Sequence, residues 1–386
     1  MIQAEGSIAR KNWRGRDAVV VSSGVAEAVI LPGGGHLAGL RFVEGQGPTQ
    51  ANVLWEPPWE TYDADTPASR RVTAELGEQN GGRYLASYTG HALCLDGFGA
   101  ASAADTAAGV SLHGEASVMR WTFTQPGERS ATGAVTLPVA GLRVEREFSL
   151  MPGESVLRVE EKVINMRDAP RALHWVQHAT FGAPVFPRGA RATASVREGM
   201  TAPIEYEGHN LLAWETPFTW PMAPAANGGK VDLREMFSSP GEGFHAGAHQ
   251  AERRIGFVAV CHAGLAAGYL FRTEDYPWVT FWEENLVRQS SPWLGQAQAR
   301  GLEFGTTPLP LGNEEVDARG PLFGKPTSRN IGARQTLHAP WLMFVAEVPH
   351  SWHEIEDARI EEDAIVLTQA DQQVRVRMQD AAAFFS

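Results

Sequence analysis

Between residues 142 and 163 the chain alternates apolar and charged side chains with a period of two. Leu142, Val144 and Arg146 alternate with Arg143, Glu145 and Glu147, and the pattern changes face at Phe148. After Met151-Pro152-Gly153-Glu154, the residues Leu157, Val159, Glu161 and Val163 alternate with Arg158, Glu160 and Lys162. Successive side chains of a strand point to opposite faces, so these runs read as two half-solvated strands joined by a turn. Val374, Val376 and Met378 repeat the pattern against Arg375, Arg377 and Gln379, with residues 364–367 as a partner strand.

Other segments agree. Residues 18–21, 26–31 and 36–43 are apolar runs separated by turn residues, including Pro32-Gly33-Gly34-Gly35. The chain carries 40 Gly and 24 Pro, which punctuate short elements and break long helices. Helical signals are confined to residues 68–77 and a final turn at 380–385. Residues 217–229 and 305–331 are rich in Pro, Gly and Asn and read as long loops, which in a compact domain are often functional. At about 150 residues per domain, 386 residues would allow two or three domains, but all-β architectures often use more per domain. With no linker, low-complexity tract or internal repeat, the expectation is an all-β fold. It is a large antiparallel β-sandwich with few short helices, one domain over residues 1–386.

Composition narrows the function. A net charge of −12 argues against a general nucleic-acid binder, which needs clustered Lys and Arg, and against adsorption to an anionic membrane. No apolar run reaches the roughly 20 residues that span a bilayer. Residues 1–16 lack the apolar centre of a secretory signal, so a soluble, cytoplasmic protein is expected. Cys94 and Cys261 are expected to be reduced and buried, since no CxxC pair or disulfide framework exists.

Metal, serine-hydrolase and nucleotide chemistry find little support. His174 and His178 are four apart, as are His245 and His249. That spacing joins two imidazoles on a helix, but in a strand such residues stand about 13 Å apart. The first pair sits in an apolar, strand-like run and the second in a Gly-rich stretch read as a loop. No HExxH, GxSxG, GxGxxG-after-strand or Walker pattern occurs. No metal and no cofactor are expected.

The remaining candidates are polar residues set among aromatic and small neighbours: Leu112-His113-Gly114-Glu115, Gln177-His178-Ala179-Thr180-Phe181, Val231-Asp232-Leu233-Arg234 and Gly301-Leu302-Glu303-Phe304. The chain has 12 Trp. Trp121, Trp175, Trp278 and Trp282 lie close to these segments in sequence. An indole offers an apolar face with one donor, which suits the CH face of a sugar. Glu303 lies between Leu302 and Phe304, where a buried charge needs a reason. Glu283 and Glu284 form a rival acid pair, but adjacent strand residues face opposite ways.

The order of these segments resembles the galactose mutarotase-like superfamily, which includes the aldose 1-epimerases. Leu112-His113-Gly114-Glu115 with Trp121 is similar to that family's first His element, and His178-Ala179-Thr180-Phe181 to its second. Asp232-Leu233-Arg234 resembles its substrate-binding Asp, and Gly82-Arg83 its early Arg. Residues 278–285, with Trp282, stand where the family has an aromatic segment before its catalytic Glu, and Gly301-Leu302-Glu303 where it has that Glu. The resemblance implies a β-sandwich enzyme that opens and recloses a pyranose ring. In that reading Glu303 is the base and His178 the acid, one sugar ring apart across an open pocket. His113 would bond the ring oxygen or a neighbouring hydroxyl, Asp232 and Arg83 would hold hydroxyls, and Trp282 would line the substrate site. The partner is then a monosaccharide or sugar derivative. Two other readings stay open: a non-catalytic carbohydrate-binding or regulatory protein, and a carbohydrate lyase or hydrolase.

Overall fold

The computed structural model describes residues 7–44, 50–125, 129–204, 208–236, 240–250 and 252–386, with the backbone alone at 242–246 and 250. Two large antiparallel sheets dominate it, one of 13 strands and one of nine. The hairpin read from the alternation is present as Leu142–Leu150 and Val156–Asn165, paired from Leu142↔Asn165 to Leu150↔Leu157. Its inward residues Val144, Phe148, Leu157, Val159 and Val163 enter the main core with Val19, Ile30, Leu93, Trp175, Phe281 and Phe304 from the larger sheet.

The period-two pattern also carried Arg146 and Glu161 inward, and both are fully buried. They pair with each other, and Glu161 also accepts from Trp175 Nε1 and from Gln177 Nε2 at 2.8 Å. Gln177 Oε1 in turn accepts from Arg146 Nη2 at 2.7 Å. Buried charges persist where they are paired and hydrogen-bonded, and here the network ties the two sheets together.

A three-stranded sheet, Asp357–Glu361, Ala364–Gln369 and Gln372–Arg377, follows near the C-terminus. Its Ile365 and Leu367 pack on Phe257, Leu270, Leu342 and Phe344 of the nine-stranded sheet, forming a second apolar layer. The expected helix is observed as Pro67–Leu76, with Thr66 accepting from the Ser69 N–H at its start and Pro at its first turn.

Three local expectations are corrected. Residues 217–229 contain two short strands, Pro217–Thr219 and Met222–Pro224, and residues 305–331 contain the helix Asn313–Arg319 and the strand Arg329–Ile331. The Gly-rich run holding His245 and His249 lies within the strand Gly241–Gln250. Pairing with neighbouring chain, which local composition does not report, makes the strands of these runs. The His245 side chain lies outside the described residues. Cys94 and Cys261 are both buried and unbridged. No helix among the described residues is long and apolar enough to cross a membrane.

Candidate active site

Four adjacent strands of the larger sheet build the site: His91–Leu95, Trp175–Gly182, Gln298–Gly305 and Trp278–Asn285. One face of these strands presents Leu93, Ala179, Phe281, Leu302 and Phe304 to the core. The alternate residues, among them Ala92, His178, Trp282, Gly301 and Glu303, stand on the other face. There Trp55, Tyr84, Leu85, Tyr88, Val118 and Trp293 form a separate apolar cluster with Ala92 and Trp282.

The pairings Gln177↔Phe304 and Thr180↔Gly301 set the register of the central two strands. In that register His178 stands directly opposite Glu303, and opposite residues of antiparallel strands have Cβ atoms only about 5 Å apart. The consequence is contact: His178 Nε2 lies 3.1 Å from Glu303 Oε1. This corrects the expected spacing of one sugar ring between them. Glu303 has no solvent exposure and is not part of the cavity lining, so it reaches the cavity through His178.

Neither carboxyl oxygen of Glu303 makes a hydrogen bond of normal geometry among the described residues. A buried polar group in that condition is costly. Burial pushes the Glu303 carboxyl well above the usual range and lowers His178 to about 4. Both shifts disfavour the charged form of their group. The other nitrogen, His178 Nδ1, lies 3.3 Å from the Tyr88 hydroxyl, which also bonds Thr180. Gly301 gives the carboxyl its room, because a Cβ there would collide with a Glu303 oxygen.

Above His178 lies a cavity of about 510 Å³. Its floor and walls include Tyr84, Tyr88, His113, His178, Trp282 and Trp293, all buried. The rings are tightly grouped: His113 to His178 is 4.9 Å between centroids, His113 to Tyr84 4.9 Å, and His178 to Trp282 6.4 Å. His113 adopts a left-handed backbone at φ 64°, and its Nδ1 accepts from the Gly99 N–H at 3.2 Å.

The structure therefore brings together His178, His113 and Trp282 in the lining, with Glu303 behind. It does not bring Asp232 or Arg83 there. Asp232 ends a short edge strand, Lys230–Asp232, and its carboxylate is bound by Arg234 at 2.7 Å. Arg83 lies on the short helix Gly82–Ser87, where its guanidinium binds Glu78 at 3.0 Å and lines a neighbouring depression. It touches the cavity only through Glu78, which is in the lining.

Sequence reasoning missed Tyr84, Tyr88, Arg288 and Trp293. Tyr84 and Tyr88 are four residues apart at the Arg83 helix, a spacing that stacks side chains on one helical face, and their rings stack at 4.7 Å. Arg288 lies over Trp293 at 4.7 Å and Trp282 at 5.5 Å, with Glu284 3.1 Å from its Nε. Glu283 pairs with Arg300 at 3.2 Å, so arginines account for both members of the rival acid pair. Among the described residues no cluster of three or more His, Cys, Asp or Glu is set to hold a metal ion.

No protein-family model matches the sequence, and no curated protein matches it. Solved structures do resemble the fold. A proposed aldose 1-epimerase from Klebsiella pneumoniae matches with a TM-score of 0.61 at 16% identity, over 87% of this chain and 82% of that one. A galactose mutarotase-like protein from Clostridium acetobutylicum matches with a TM-score of 0.55 at 13% identity, over 88% and 98%. A galactose mutarotase related enzyme from Lactobacillus acidophilus matches with a TM-score of 0.52 at 11% identity, over 86% and 99%. The chain has the galactose mutarotase-like fold.

Proposed function

We propose that this protein is an aldose 1-epimerase-like enzyme that binds a sugar in the His113–His178 cavity and interconverts its anomers. The observation that carries the reading is the buried Glu303–His178 contact beneath an aromatic cavity. Ring opening needs a proton taken from the anomeric hydroxyl and another delivered to the ring oxygen. An imidazole close to a bound sugar suits both tasks, because it can take a proton and give it back.

The contact between Glu303 and His178 changes the division of labour. Glu303 stands against His178 Nε2, so Nδ1 is the working nitrogen: it receives the proton of the anomeric hydroxyl through the cavity-lining Tyr88 hydroxyl and delivers it to the ring oxygen. His113 accepts a backbone N–H on Nδ1, so its neutral form carries the proton on Nε2 and steadies the ring oxygen by a hydrogen bond. On reclosure the same proton passes back by the same route to the C1 oxygen. Trp282 and the two tyrosines line the sugar's binding surface and hold it for reaction. This chemistry calls for no cofactor.

The test is exchange NMR or polarimetry on a panel of free aldoses, comparing wild type with Glu303→Gln and His178→Asn. At least one aldose should exchange anomers faster with wild type than with either variant. A second reading, a sugar-binding protein without turnover, draws on the complete burial of Glu303. Sugar binding with identical exchange rates in all three proteins would select it.

A further inference from the structure

The cavity lining divides by exposure. Its floor, Tyr84, Tyr88, His113, His178 and Trp282, is buried, whereas Gln79, Asn80, Ser290 and Ser291 at its rim are exposed. The rim comes from two separate places: the turn Glu78–Asn80 ahead of the Arg83 helix, and the connection between the strands Trp278–Asn285 and Gln298–Gly305. The second segment is rigidly framed. Trp293 packs edge-on to Trp59 at 4.8 Å and stacks on Trp55 at 6.3 Å, and Arg288 covers it while bound to Glu284.

The rim is hydroxyl- and amide-bearing, and it lacks net charge. Glu78 and Arg288 are its formally charged members among the described residues, and each has an ion-pair partner, Arg83 and Glu284. That chemistry matches neutral hydroxyls rather than a phosphate or carboxylate, and repulsion from a chain of net charge −12 adds to the same preference. Beyond the rim, Ala100 and Ala101 also line a second depression of about 760 Å³, which contains Ser102, Ser111 and Asn313 together with charged residues of both signs such as Glu115 and Arg171. A ligand leaving the floor past Ala100 meets further polar surface.

We propose that the preferred substrate is the reducing end of a neutral, linked sugar, a disaccharide or longer. Its terminal unit sits on the His113–His178 floor and its second unit on the Gln79–Ser291 rim. This rests on the reading of the floor as a sugar site, and it adds a second subsite to it. A linked unit on the rim would convert those donors and acceptors into affinity, with Arg288 held as a planar, pre-organised part of the wall.

The test compares anomer exchange of glucose with that of maltose, cellobiose and lactose, all ending in glucose, using wild type and the double variant Gln79→Ala/Ser291→Ala. The kcat/KM for at least one linked sugar should exceed that for glucose by about tenfold, and the double variant should shrink that ratio towards one. Equal or better turnover of glucose, or an equal loss on both classes of sugar in the variant, overturns the proposal. If no sugar is turned over, the epimerase reading fails separately, and saturation-transfer difference NMR with the same sugars decides the subsite. Contacts to protons of both sugar units support it; contacts to one unit alone, or to neither, reject it.

Discussion

Glu303 Oε1 lies 3.1 Å from His178 Nε2, directly across a strand pair, and the carboxyl has no exposure to solvent. The carboxyl is thus placed to act on a ligand through the imidazole. Glu303→Gln keeps the shape and removes the ionisable carboxyl behind His178, so it should lower anomer exchange by at least about tenfold, and by up to the 10²–10⁴-fold typical of losing the acid–base group it supports. Because the native carboxyl lacks hydrogen bonds of normal geometry, the same change should leave denaturant stability equal or higher. Loss of activity together with loss of stability would show that the pair is a structural element.

Gly301 stands beside that carboxyl in the sheet. A Cβ at this position would strike Glu303 and also approach Trp282 Cβ at 3.2 Å. Gly301→Ala should displace the dyad and cut the exchange rate by at least tenfold, read by NMR exchange at saturating sugar. A fully active variant would mean that the position of Glu303 does not matter.

Asp232 and Arg83 give the opposite expectation. Asp232→Asn should change kcat/KM less than twofold, since the carboxylate is held by Arg234 outside the cavity. Its half-buried ion pair with Arg234 should cost about 1 kcal/mol of stability. A large rise in KM for Asp232→Asn would return Asp232 to the substrate site.

His36 is fully buried, with Nε2 3.0 Å from the Ser117 carbonyl, and burial and the nearby Arg16 lower it to about 3. An unfolded His titrates near 6.5. Between these values the unfolded chain binds the extra proton, so this residue's effect is to weaken the fold as pH falls from about 6.5 towards 3, and to leave it unchanged above. His36→Gln keeps a donor for Ser117 and removes the titration. The slope of unfolding free energy against pH between pH 4 and 6 should then be smaller by up to about 1.36 kcal/mol per pH unit. Equal slopes in equilibrium denaturation would contradict the assignment.

The Arg146–Glu161 pair between the sheets should respond as buried ion pairs do. Glu161→Gln leaves the Arg146 charge uncompensated and should destabilise the fold by about 3–5 kcal/mol. The double change Arg146→Met/Glu161→Leu should recover only part of that loss, because it strips Trp175 Nε1 and Gln177 of buried partners. Chemical denaturation of the three proteins measures both effects.

Much of the fold was legible because its signals are local. The alternation at 142–163 reports which side chains face the core, and a strand's pleat enforces that period whatever lies beyond. The same pattern placed Arg146 and Glu161 inward, although it could not name their partners in Trp175 and Gln177. His113, His178, Trp282 and Glu303 could be picked out because polar or aromatic residues in apolar strands and Gly turns stand out from their neighbours. Asp232 carries an equally suggestive local pattern, yet its adjacent Arg234 occupies it. Tyr84 and Tyr88 went unnoticed because buried tyrosines usually signal packing alone.

Local sequence dictates the period of the strands, the turns that separate them and the residue types available for proton transfer. That His178 and Glu303 are cross-strand neighbours, that Arg288 and Trp293 close the cavity wall, and that Asp232 and Arg83 stand elsewhere follows from the folded arrangement alone. Strand order and register arise from packing between distant segments, and no short window of sequence carries the free energy that selects them.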